Sequence, residues 1–238
     1  NNWPFKYFQH DILKSHVKDK FDGIYSLDVL EHINPKYEKK FILNSIKSLK
    51  NFAIQYSHHV SNFPRYISAI HSNCDQIRIR QLLLDNLNEE ENKNESHPEL
   101  WHRFANGLGI KSQYLNTNLM LKATHNLNET FWLLSKTEKY HIGLAALYCY
   151  EYMQPDISFI QKTSIKKFYN LKDEEALKYF TVHMSADKKH RKILGKIIAK
   201  FCSSSSIEND VLSSVKITLG SLNSFFSAIY KDYNSASN

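Results

Sequence analysis

Along most of the chain the apolar positions recur every three or four residues, the period of a helix buried on one face. Ile67, Ile70, Ile77, Ile79, Leu82, Leu83, Leu84 and Leu87 predict helices with a broad inner surface. Leu100, Trp101, Phe104 and Ala105 mark the inner side of another over about 98–108, which Asn106-Gly107-Leu108-Gly109 would end. Further helices are expected at about 111–122, 127–138, 141–153 and 156–169. Asp173 is placed to cap a helix over about 174–184, and Ser185-Ala186-Asp187 either opens a new helix or carries this one to about residue 201. Ser203-Ser204-Ser205-Ser206 reads as a linker before a last helix over about 208–230.

The beginning of the chain follows another rule. Phe21-Asp-Gly-Ile-Tyr-Ser-Leu-Asp-Val-Leu30 is a short apolar run of the kind a buried parallel strand uses. Pro35 then sits where a helix begins, and Phe41, Ile42, Ile46 and Leu49 continue with helical spacing. The change of character near residue 47 divides the chain into 1–46, a short α/β-derived segment, and 47–238, an all-α bundle.

Composition agrees with helices. The 238 residues contain only six glycines and five prolines, too little turn material for a many-stranded barrel or sandwich. The formal charge is +7, but the basic residues are spread among acids, as on a solvated surface, and no nucleic-acid partner is expected. Cys74, Cys149 and Cys202 are widely separated and fit reduced thiols in a cytoplasmic protein. No apolar run reaches the roughly 18 residues of a membrane span, so no membrane partner is expected. The opening Asn-Asn-Trp-Pro has neither a signal-peptide pattern nor an initiator Met, which suggests a cut or processed end.

The chemistry-bearing signal is His183-x-x-x-Asp187-x-x-His190. Steps of four and seven residues place Asp187 about 40° and His190 about 20° to either side of His183, so three ligand types share one helical stripe. Phe180 and Leu194 lie on or beside that stripe, turning it toward the interior. Burying a carboxylate between imidazoles is costly unless a cation compensates. The alternative is a solvated face, since Lys188, Lys189, His190 and Arg191 are consecutive. Glu151 is a lone carboxylate in Gly143-Leu-Ala-Ala-Leu-Tyr-Cys-Tyr-Glu-Tyr-Met153, a helix segment without Lys or Arg, and needs a proton, an arginine or a metal. Glu90 ends one helix and His97 begins the next, although Glu89–Glu91 also reads as a plain charged turn. Three carboxylates and three imidazoles without cysteine suit iron or manganese better than structural zinc, and bundles hold dinuclear sites between their helices.

Several stretches resemble a known family. Asn62-Phe-Pro-Arg-Tyr-Ile-Ser-Ala-Ile-His-Ser-Asn-Cys-Asp75, Leu82-Leu-Leu-Asp-Asn-Leu-Asn-Glu-Glu90, His97-Pro-Glu-Leu-Trp101, Ala145-Ala-Leu-Tyr-Cys-Tyr-Glu151 and Tyr179-Phe-x-x-His183-x-x-x-Asp187-x-x-His190 fall in the family's order and spacing. They are similar to the haem-oxygenase-like diiron oxidases, the branch of the chlamydial death-domain-associating proteins and relatives of the pyrroloquinoline quinone synthesis oxidase. The resemblance spans about 47–238 and implies a seven-helix bundle without haem that holds two irons and activates O₂. It matches Glu90, His97, Glu151, His183, Asp187 and His190 to the ligands, with a mixed iron–manganese pair as the variant. It further implies para-aminobenzoate formation for folate, with a tyrosine of the chain consumed, and makes Tyr150 and Tyr179 the candidates. Either tyrosine reads equally well as an ordinary core aromatic.

Two positions depart from the pattern. The family lysine ten residues after the central glutamate is Gln161 here, with Lys162 beside it, and the family's first helix is not evident before residue 47. In its place, the stretch from Phe21 to Ile33 resembles the fourth strand and following loop of class I methyltransferases, without the upstream glycine loop the cofactor needs. Residues 1–46 therefore read as a methyltransferase remnant. The substrate would be a small molecule or the chain's own side chains, in a monomer or homodimer. Three alternatives stand beside the oxidase: a thiaminase-like enzyme with a cysteine nucleophile and no metal, an interaction protein with a death-domain partner (by resemblance only), and a decayed fusion that keeps the fold.

Overall fold

The computed structural model describes the backbone of 35–115, 120–202 and 204–235, and side chains from residue 49 onward except 116–119, 185–193, 200–201, 203 and 230–238. Seven α-helices, and no strand, occur among the described residues: α1 (Pro35–Asn73), α2 (Ile77–Glu90), α3 (His97–Gly107), α4 (Lys122–Lys136), α5 (Tyr140–Tyr169), α6 (Lys178–Phe201) and α7 (Ser205–Ser235). The strand expected over 21–30 lies outside the described residues. The helix expected from Pro35 is the opening of α1, which crosses positions 46 and 47 without a break.

α1 and α5 form the middle of the bundle. On α1, Ala53, Tyr56, Val60, Phe63, Ile67 and Ile70 are buried at steps of three and four, and the helix packs on α2, α3, α4 and α7. On α5, seven of the eight residues from Gly143 to Tyr150 are buried, so this helix is surrounded by α1, α4, α6 and α7. Its expected break near residue 154 does not occur. Pro155 lacks the N–H that would bond to the carbonyl of residue 151, but buried neighbours at Gln154, Pro155 and Ser158 hold the helix through the gap. It ends at Asn170, whose φ of 53° is the left-handed stop that asparagine tolerates.

Other expected boundaries shift for local reasons. Of the helix expected over 111–122, only a 3-10 turn at Ser112–Tyr114 forms within the described part. Asp173 does not cap α6. Its carboxylate accepts from the Glu175 N–H at 3.0 Å and its carbonyl from the Leu177 N–H at 3.1 Å, which makes a separate turn and delays the helix to Lys178. Glu174 is also drawn toward α5, where it pairs with Lys162 and Lys166. From Lys178 onward α6 continues through Ser185-Ala186-Asp187 as one helix. The serine run opens α7 rather than spacing it, with Ser204 accepting from the N–H groups of Ile207 and Glu208.

Candidate metal centre

The site begins with a short connection between two helices. α2 buries Ile79, Leu83, Asn86 and Glu90, one stripe at steps of four, three and four, so its last residue points its carboxylate inward. Six residues later Ser96 caps α3 by accepting from the Glu99 N–H at 3.3 Å, and His97 follows as the first helical residue. Glu95 anchors this connection by accepting from Arg103 at 3.0 Å and from Lys178 at 2.5 Å, which ties it to the start of α6. Lys178 precedes Tyr179, and one turn further His183 enters the same space.

Glu90, His97 and His183 are all buried, and one potential ligand atom from each lies within 4.8 Å of the others. Nδ1 of His97 approaches Oε2 of Glu90 to 2.8 Å. Burial works to lower the His97 pKa, but the charge of Glu90 and the hydrogen bond to its carboxylate, aided by Glu89, outweigh it and leave the pKa raised. The imidazole rings of His97 and His183 are 4.4 Å apart. Nδ1 of His183 lies 2.8 Å from the Tyr179 carbonyl oxygen. A carbonyl only accepts, so Nδ1 carries the proton and Nε2 carries the lone pair, the tautomer a metal ligand needs.

Glu151 lies on α5, buried, and is not part of that three-residue group. Asn86 donates to its Oε1 at 2.7 Å, while Oε2 is buried with no hydrogen-bond partner. Burial, with Glu90 and Glu89 adding to it, pushes the Glu151 pKa up to about 8 against the hydrogen bond from Asn86. Two carboxylates and two imidazoles thus share a water-poor interior with one carboxylate oxygen unsatisfied. A cation fits this donor set, and mixed oxygen and nitrogen donors without thiolate suit iron. Asp187 and His190 are positions on α6, one and two turns beyond His183, but their side chains lie outside the described residues.

Both candidate tyrosines are buried beside this group. The Tyr179 ring is 4.2 Å from that of His183 and 6.3 Å from that of His97, with Trp101 at 4.7 Å behind it. Tyr150 hydrogen-bonds hydroxyl to hydroxyl with Tyr56 of α1. Burial holds its phenol pKa well above the usual value, with Tyr56, Tyr179 and Glu90 adding to the effect. Reading the sequence missed Tyr56, Asn86 and His59. Asn86 and His59 carried a signal, since each is a polar residue at a helical step where the stripe calls for an apolar one.

Residues 50–220 match the family described as iron-containing redox enzymes. The chain belongs to that family. As a member, it is 34% identical over 196 residues to a 4-aminobenzoate synthase of Nitrosomonas europaea, covering 79% of this chain and 80% of that protein. It is 35% identical over 144 residues to a 4-aminobenzoate synthase of Chlamydia pneumoniae, covering 60% of this chain and 64% of that one. Among solved structures, a domain with a haem-oxygenase-like fold from Shewanella denitrificans superposes with a TM-score of 0.71 at 16% identity, over 89% of this chain and 90% of that one. A TenA homologue from Pseudomonas syringae gives 0.69 at 17% identity, over 78% and 80%. The fold of this iron-containing redox enzyme is haem-oxygenase-like. No helix among the described residues is long and apolar enough to cross a membrane.

Proposed function

We propose that this iron-containing redox enzyme is a diiron oxidase that uses O₂ in the synthesis of 4-aminobenzoate, and so serves folate formation. The observation that carries the reading is the buried convergence of Glu90, His97 and His183 where three helices meet. The names of the Nitrosomonas and Chlamydia relatives support the product. In this reading Glu151, Asp187 and His190 complete a six-residue ligand set for two irons, or for one iron and one manganese. The metals when bound would supply reduction of O₂.

The chain's own residues prepare the site. The Tyr179 carbonyl fixes the His183 tautomer. Trp101, Phe104 and Phe180, all fully buried, keep water from that side. Tyr179 and Tyr150 are the residues proposed to be oxidised, and one of them to be consumed as the source of the aromatic ring. At the position of the family lysine stands Gln161, and the neighbouring Lys162 donates to Thr181 at 2.7 Å and pairs with Glu174 at 2.8 Å. An amine from this segment would therefore first have to leave those partners.

Iron-loaded protein exposed to O₂ with a reductant should release 4-aminobenzoate, detected by mass spectrometry of the small-molecule fraction. The intact-mass spectrum should show a chain that has lost part of one tyrosine, located by peptide mapping to Tyr150 or Tyr179. Release of 4-aminobenzoate from an unaltered chain would remove the consumed tyrosine and keep the oxidase. No product from protein carrying its full iron would remove the reaction.

A further inference from the structure

We propose that Asn86 is a positioning residue that holds Glu151 for the metal, an inference that rests on the diiron reading above. The buried stripe of α2 reads Ile79, Leu83, Asn86, Glu90. Packing alone would put a leucine at the third position, yet an amide stands there, only 4% exposed. Its Nδ2 donates to Oε1 of Glu151 across the gap between α2 and α5 at 2.7 Å. With Glu151 ionised, as a bound cation would hold it, the amide orientation is fixed in one sense only, because turning it over would set its carbonyl oxygen against a carboxylate oxygen.

A carboxylate pinned through one oxygen has a set plane, and the other oxygen then points one way. That other oxygen, Oε2 of Glu151, is buried without a hydrogen-bond partner, and so is Oδ1 of Asn86. Buried acceptors without donors are rare unless something absent from the protein itself completes them. The pair is thus arranged with its spare acceptors for a cation and what accompanies it. Glu90, one turn after Asn86 on the same stripe, belongs to the three-residue ligand group, so one face of α2 supplies both a ligand and the support for another. Loss of a residue that orients a ligand in this way typically costs about 10- to 100-fold in metal affinity.

The test is an anaerobic Fe(II) titration against a competing chromophoric chelator, with the native chain, Asn86→Leu, Asn86→Ser, Glu151→Ala and the double variant Asn86→Leu/Glu151→Ala. Asn86→Leu and Asn86→Ser should each weaken iron binding about 10- to 100-fold with the helical circular-dichroism signal of the metal-free protein unchanged. Adding Asn86→Leu to Glu151→Ala should cost nothing further, since the group Asn86 positions is already gone. Native affinity in both Asn86 variants would overturn the role, as would an equal loss in the Glu151→Ala background. Asn86→Ser, polar but too short to reach Glu151, keeps the test open should leucine fail to fold. A native chain that takes up no iron would overturn the diiron reading and this inference together, whereas normal native uptake with unaffected Asn86 variants would overturn this inference alone.

Discussion

Tyr56 on α1 and Tyr150 on α5 hydrogen-bond through their hydroxyl groups inside the bundle, and Gln154 donates to Tyr56 at 3.1 Å as a third member. Both phenols are buried, so their hydroxyls bond within the protein in place of water. Removing the Tyr56 hydroxyl takes this partner from Tyr150 at a cost of about 1–3 kcal/mol, whereas removing the Tyr150 hydroxyl leaves Tyr56 bonded to Gln154. Tyr56→Phe should lower the unfolding free energy by about that amount, and Tyr150→Phe by less. The double variant should lose clearly less than the sum of the singles in a urea-denaturation cycle. Additive losses would show that the two hydroxyls act independently.

His59 gives a pH dependence. Its ring is fully buried among Tyr56, Phe63, Tyr66, Phe131 and Tyr150, and neither nitrogen has a hydrogen-bond partner. Burial lowers its pKa to about 3, against an opposing pull from the charge of Glu90. The unfolded chain takes up a proton here near pH 6.5 and the folded chain does not. The stability due to neutral His59 is therefore fully present above about pH 6.5 and is lost as the pH falls toward about 3. Between pH 7.5 and 5 the native protein should lose about 2 kcal/mol more than His59→Phe. Equal losses in urea unfolding at the two pH values would contradict this.

Gly143 sets the approach of α5 to its neighbours. A Cβ at this position would fall 2.6 Å from Cγ1 of Ile70 and 3.1 Å from the Leu134 carbonyl oxygen. The Ile70 side chain has some freedom to move, but the backbone of α4 does not. Gly143→Ala should lower the stability by about 1–3 kcal/mol, read as a lower thermal midpoint by circular dichroism. Ile70→Ala should cost less in the Gly143→Ala background than alone, because it also relieves the clash. A variant as stable as the native chain would mean that α5 can shift freely.

What could be read from the sequence were features that a single helix displays. The lone carboxylate Glu151 in an apolar stretch and the stripe that begins at His183 are both regular helical steps. The turn between Glu90 and His97 follows from where α2 and α3 stop and start. What stayed hidden depends on which helices face each other. Tyr56 and Tyr150 are 94 residues apart in the chain, and Asn86 and Glu151 are 65 apart, so neither pair has a local signature. The gap expected between 153 and 156 is spanned by one helix, with Pro155 buried inside it beside Gln154 and Ser158. Asp173 misled as well, since its carboxylate has two ways to satisfy nearby N–H groups and the turn took it.

In the proposed diiron centre, Glu90, His97, Glu151 and His183 on α2, α3, α5 and α6 share in holding a pair of metal ions. Metal analysis of protein purified under iron-replete conditions addresses it directly. The native chain should carry close to two irons, and His183→Ala and Glu151→Ala should each empty most of the site, as loss of a ligand does. Fewer than about one iron per chain, with both variants unchanged from the native protein, would contradict it.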